Sequence, residues 1–81
     1  MTDETLSWRA IKPGWRVLAR DGSALGTVHE VIAAEREDIF RGVRIRVGLL
    51  SGEIEALSDH IERISDGEVH TSLDPEGHPP A

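Results

Sequence analysis

The four histidines, His29, His60, His70 and His78, are the side chains of this sequence best suited to ligate a transition metal. No two of them lie four residues apart on a helix or at the spacing of a zinc finger. His60 and His70 approach each other only if a turn at His60 packs against the last strand. We therefore interpret the histidines as scattered surface residues, with a metal site at His60 and His70 as the alternative.

Acid–base and nucleophilic chemistry find little support. Asp21 and Asp66 precede glycines, where aspartate favours a turn, and Asp59 lies in a predicted turn. No serine stands in a nucleophile elbow, and there is no Gly-rich phosphate loop. So short a chain also leaves little room for a pocket of roughly 300 Å³ beside its core. We expect no enzyme, no catalytic residues and no cofactor.

The composition bounds the class of protein. The chain has 81 residues, no cysteine, three aromatic side chains and a net charge of −6. One domain is expected at this length. The acidic balance argues against binding to nucleic acid or to an anionic membrane. The first residues lack the basic start and apolar run of a signal peptide, so we expect a cytoplasmic protein.

The stretch of residues 14–31 predicts two strands joined at a turn. Trp15, Val17 and Ala19 alternate with Arg16 and Arg20, which is typical of a half-buried strand. Asp21-Gly22 predicts a tight turn, and residues 25–33 the return strand. A β-bulge near His29-Glu30 would bring Val31 to the inner face. A helix fits the spacing of Val28, Val31 and Ile32, but the segment is short and starts poorly.

The third strand, residues 43–47, alternates β-branched residues with Arg44 and Arg46. The fourth, residues 53–56, alternates Glu53 and Glu55 with apolar residues. An antiparallel pairing predicts that the two arginines lie opposite the two glutamates. This pairing accounts for the basic strand without a phosphate ligand.

The last part of the chain predicts a 3-10 turn at residues 58–60, a fifth strand at Ile61 and Ile64, and a turn at Asp66-Gly67. The sixth strand has Val69, Thr71 and Leu73 on one face. Six short strands predict an all-β, small, closed or nearly closed SH3-like β-barrel. We assign residues 1–12 to an N-terminal arm, 13–73 to the barrel and 74–81 to a disordered tail.

Three blocks of this sequence resemble the PRC-barrel family, named for the photosynthetic reaction centre H subunit. The first holds Val17, Asp21-Gly22, Leu25-Gly26, Val28 and Val31. The second is residues 39–43 with the turn at 48–53, which resembles small stand-alone bacterial members. The third runs through residues 58–64 and 66–69. Leu57 departs from the family, which usually has proline there.

The resemblance implies a six-stranded PRC-barrel and no shared active site. Family members serve as interaction or assembly modules, including a part of a ribosome maturation factor that engages a ribosomal protein. By this analogy we expect a bacterial, non-enzymatic protein-interaction module of unidentified partner, self-associating as a homodimer. The alternative is a module that binds a small molecule or metal ion.

Apolar residues that a barrel does not need either plug the ends of the barrel or form an interface with another protein. Leu49 and Leu50 lie in a predicted turn, and Ile39-Phe40 ends a charged loop. Trp8 lies in the arm, where it and Ile11 either pack on the domain or form an exposed patch. The candidate interface residues are Trp8, Phe40, Leu49 and Leu50 for apolar contact and Arg44, Arg46, Glu53 and Glu55 for register.

Overall fold

Short strands and single helical turns build the domain. The computed structural model describes residues 6–47 and 52–79. The strands are β1 (Arg16–Leu18), β2 (Ala24–Ala34), β3 (Ile39–Arg46), β4 (Glu53–Leu57), β5 (Ile61–Ser65) and β6 (Glu68–Thr71). Three-residue 3-10 helices lie at Trp8–Ala10, Glu35–Glu37 and Ser58–His60. The prediction of an all-β domain with six strands and a 3-10 turn at residues 58–60 is confirmed.

All six strands belong to one sheet, in the order β4-β3-β2-β1-β6-β5. Neighbouring strands are antiparallel except β1 and β6, which run parallel. β4 and β5 are the two edges of the sheet and are not hydrogen-bonded to each other. The hydrogen-bonded sheet is therefore not closed between β4 and β5. In the two described ranges, no helix is long and apolar enough to cross a bilayer.

The sheet curls around a single core. Ala56 from one edge strand and Ile64 from the other belong to the same buried cluster as Val17, Val43 and Ile45. Strands at opposite ends of an open sheet can share a core only if the sheet bends strongly. The predicted inner residues of the sixth strand are also buried, and the Thr71 hydroxyl donates a hydrogen bond of 2.8 Å to the carbonyl of Leu18.

Two glycines allow strands to approach closely. A Cβ atom on Gly26 would lie 2.1 Å from the carbonyl oxygen of Arg46, and one on Gly42 would lie 2.3 Å from the carbonyl oxygen of Ala56. No side chain fits at such distances from a backbone atom. Gly26 and Gly42 thus fix where the curled sheet is tightest.

Two β-bulges interrupt the pairing of β2 with β3. The register passes from Val28 directly to Glu30, so His29 is the extra residue, as the sequence predicted. A second shift between Ile32 and Ala33 leaves Arg41 as the extra residue on β3. β3 begins at Ile39, earlier than the predicted residue 43, because residues 39 and 40 continue to pair with β2.

Aspartates organise the turn after β1 and the segment after β6. Asp21 Oδ1 accepts hydrogen bonds from the backbone N–H of Ser23 at 2.9 Å and from its hydroxyl at 2.6 Å. Asp74 Oδ1 accepts bonds from the backbone N–H groups of Glu76 and His78, both at 2.9 Å. Residues 74–79 contain no helix or strand, but this turn places Gly77 against Ile54 of β4.

These bonds favour the ionised carboxylates. The Ser23 hydroxyl and N–H lower the pKa of Asp21, and the His78 N–H lowers the pKa of Asp74, both from an ordinary value of 3.8. A carboxyl whose pKa is lower in the folded chain stabilises the fold above its unfolded pKa. That stability is lost as the pH falls towards the folded-state pKa.

We expect the free energy of unfolding to decrease as the pH drops below about 4. The double variant Asp21→Asn with Asp74→Asn should flatten this decrease, because an amide oxygen accepts the same bonds without titrating. Urea unfolding between pH 2.5 and 6 measures the slope. Ser23→Ala, which removes one donor to Asp21, should flatten it partly. A double variant with the wild-type slope would contradict the assignment.

Candidate interaction surface

The predicted charge rows on the outer face are found in the predicted register. Arg44 lies opposite Glu55 and Arg46 lies opposite Glu53 across β3 and β4. Arg44 reaches Glu30 at 2.8 Å, Glu55 at 3.3 Å and Glu53 at 3.9 Å. All of these side chains are partly exposed, so each pair contributes at most about 1 kcal/mol. Arg44 is therefore surrounded by three carboxylates of its own chain.

The bulge at His29 inserts an imidazole into this network. Arg46 Nη2 donates to His29 Nδ1 at 3.1 Å, and His29 Nε2 lies 3.2 Å from a Glu53 carboxylate oxygen. Nδ1 is therefore the acceptor, and Nε2 carries the proton that faces Glu53. The positive charge of the Arg46 guanidinium disfavours a bound cation at Nδ1 of His29.

His70 has comparable surroundings. Its Nε2 lies 3.2 Å from the Ser65 hydroxyl, 3.4 Å from Arg63 Nη2 and 3.4 Å from a Glu68 carboxylate oxygen. In a catalytic triad the carboxylate orients the opposite ring nitrogen from the one that faces the hydroxyl. Here Glu68 and Ser65 face the same nitrogen, so the arrangement does not prepare Ser65 as a nucleophile.

The described residues do not gather a metal-ligand set. No group of three or more His, Asp or Glu side chains among residues 6–47 and 52–79 is arranged to hold an ion. His78 lies 3.6 Å from Asp74 within the last turn. His60 accepts a hydrogen bond from the backbone N–H of Ser72 through its own carbonyl group, at 2.9 Å.

Residues 6–11 of the N-terminal arm pack on the domain. Trp8 and Phe40 stack with ring centroids 5.5 Å apart and planes 7° apart, and the Arg9 guanidinium lies 4.6 Å from the Trp8 ring. Arg9 also forms an ion pair of 2.8 Å with Asp38, and Ile11 is buried. Leu6 donates its N–H to the carbonyl of Ile64 on the β5 edge at 2.7 Å. Trp8 and Phe40 therefore contact each other, and each stays only partly exposed.

An apolar row crosses the outer face next to the charge rows. Ile32 on β2 pairs with Gly42 on β3, which pairs with Leu57 on β4, so the three share a face. Leu57 is 53% exposed and Ile39, near the start of β3, is 44% exposed. With Arg41, Asp59 and Glu55 at its margins, the row lines a shallow groove of about 510 Å³. We call Ile32, Gly42, Leu57 and Ile39 the outer apolar row.

Ile32 and Leu57 were not among the predicted interface residues, yet the sequence contains a signal that they face outward. Adjacent apolar residues in a strand point to opposite faces, so one of each pair must face outward. The pairs are Val31-Ile32, Ile39-Phe40 and Ala56-Leu57. In each pair one member packs in or against the core and the other faces outward. Leu49 and Leu50 lie in residues 48–51, outside the described residues.

Comparison of the chain with protein-family models gave no match. Comparison with curated proteins likewise gave no match.

Gly42 is the residue most sensitive to substitution in the outer apolar row. We expect Gly42→Ala to lower the free energy of unfolding by at least about 2 kcal/mol, because the new methyl group meets backbone at a positive φ. Chemical denaturation measures the change.

Gly22→Ala is the matched control, because Gly22 has a φ of 90° but nothing within 4 Å of its Cβ position. It shares the conformational strain without the clash. An equal loss of unfolding free energy in the two variants would show that the close approach at Gly42 does not affect stability.

Proposed function

We propose that this chain is a non-enzymatic protein-interaction module that self-associates as a homodimer. The observation that carries the proposal is the outer apolar row, which places two large, strongly exposed aliphatic side chains on one sheet face. Exposed apolar residues that are contiguous across strands are typical of surfaces that bind another protein. The remainder of that face carries charged residues, among which Arg44 pairs with Glu30 and Glu55 of its own chain.

The energetics favour association through this row. Covering the exposed parts of Ile39 and Leu57 contributes roughly 1–2 kcal/mol for each side chain. The groove beside them has no deep, polar lining of the kind that orients a small substrate. A flat apolar centre with charged margins is typical of a protein interface.

The resemblance to PRC-barrel proteins supports the same class of function by analogy. It remains a prediction, and so do the bacterial source and the cytoplasmic location. An open, curled, six-stranded sheet is compatible with it, but a shared fold does not assign a function. The surface residues carry the proposal independently of the family.

We expect the wild-type chain to sediment as a dimer across low-micromolar to near-millimolar concentration. Ile39→Ser with Leu57→Ser should raise the dissociation constant at least about tenfold, because the substitution removes apolar contact from the interface. Both residues are exposed, so the circular dichroism and the unfolding midpoint should change little.

The matched control is Leu6→Ser, which changes a leucine that is 38% exposed in the arm. A second comparison is Leu49→Ser with Leu50→Ser, the pair singled out from the sequence. Loss of the dimer only in that second variant would move the interface away from the outer apolar row. A strictly monomeric wild type would contradict self-association. A thermal shift with zinc that is lost in His60→Ala with His70→Ala would instead favour the metal-binding alternative.

A further inference from the structure

Two opposite charges at the margins of the groove have no partner among the described residues. Arg41 and Asp59 are both exposed and line the same groove. Neither side chain forms an ion pair or hydrogen bond with any residue in the ranges 6–47 and 52–79. Arg44, in contrast, lies within 4 Å of three carboxylates. These two charges are therefore available to a molecule that covers the groove.

The two charges belong to different elements that line the groove. Arg41 is the extra residue of the second β-bulge, next to Gly42, and a bulge redirects its side chain from the regular alternation of the strand. Asp59 is the middle residue of the 3-10 helix that directly follows Leu57. The groove thus has a cation contributed by β3 and an anion contributed by the 3-10 helix that follows β4.

We propose that a second copy of this chain covers the groove in a two-fold symmetric dimer. The outer apolar rows pack against each other, and Arg41 of each protomer pairs with Asp59 of its partner. This inference rests on the proposed function and specifies its interface. A surface with an apolar centre and one charge of each sign at its margins is complementary to itself under a two-fold axis. Each dimer then forms two such ion pairs.

The alternative symmetric contact, between the β4 edges, is unfavourable. β4 is unpaired on one side, but Glu53 and Glu55 alternate along it. An antiparallel pair of β4 edges would bring four carboxylates together at one seam, and like charges on adjacent strands are destabilising. Packing of faces avoids this repulsion and uses the two unpartnered charges.

Charge reversal tests the pairing directly. Arg41→Glu and Asp59→Arg should each raise the dissociation constant of the homodimer at least tenfold, because each creates two repulsive contacts. An equimolar mixture of the two variants should form a heterodimer with an affinity within about threefold of the wild type, since every contact is again between opposite charges. The double variant in one chain should also form a dimer. Sedimentation and native mass spectrometry measure the species.

Matched controls are Arg20→Glu and Asp66→Arg, which reverse exposed charges in the turns after β1 and β5. They should leave the dissociation constant unchanged. Dimers of wild-type affinity in both single variants would overturn the pairing and leave self-association intact. Two weakened variants that form no heterodimer with each other would also overturn the pairing, since Arg41 and Asp59 would then contact different partners. A monomeric wild type would overturn both the pairing and the proposed function.

Discussion

The close approach of neighbouring strands is the constraint on which this structure depends. A sheet of six short strands can shelter one core only if it curls until its two edges face the same residues. The curl is tightest where the backbone at Gly26 meets Arg46 and the backbone at Gly42 meets Ala56. The core accordingly consists mostly of alanine, valine and isoleucine side chains, and Val17, Val43 and Ile45 have no exposed surface.

The same constraint determines what lies outside. The core is narrow, so it accepts one residue of each adjacent apolar pair and leaves the other on the convex face. The bulges at His29 and Arg41 decide which residue is turned outward. The first places an imidazole between a guanidinium and a carboxylate, while the second leaves a guanidinium beside exposed aliphatic groups. One face of the sheet thus has a charged part and an apolar part.

Sequence patterns were sufficient to predict the structure where apolar and polar residues alternate strictly. They predicted the strands, the buried faces of β1 and β6, the first bulge, and the opposition of Arg44 and Arg46 to Glu55 and Glu53. They could not predict the outer apolar row, because its members become neighbours only through the register of three strands. The stacking of Trp8 on Phe40 also depends on where the arm docks, which local spacing does not encode. The turn after Leu73 shows that a sequence rich in proline and glycine can still dock on the sheet.

The parallel pairing of β1 with β6 has a consequence for the order of folding. Residues that are 52 positions apart must meet before β1 gains its second neighbour, as in the ion pair between Arg16 and Glu68. The hairpins β2–β3, β3–β4 and β5–β6 have short sequence separations and can form early. We expect the loop between β1 and β6 to close late. Its entropic cost is compensated only when the β2–β3–β4 unit and the β5–β6 hairpin have formed. Until that step, β1 is an unprotected edge, and an incomplete chain that lacks its last strand exposes that edge to other chains.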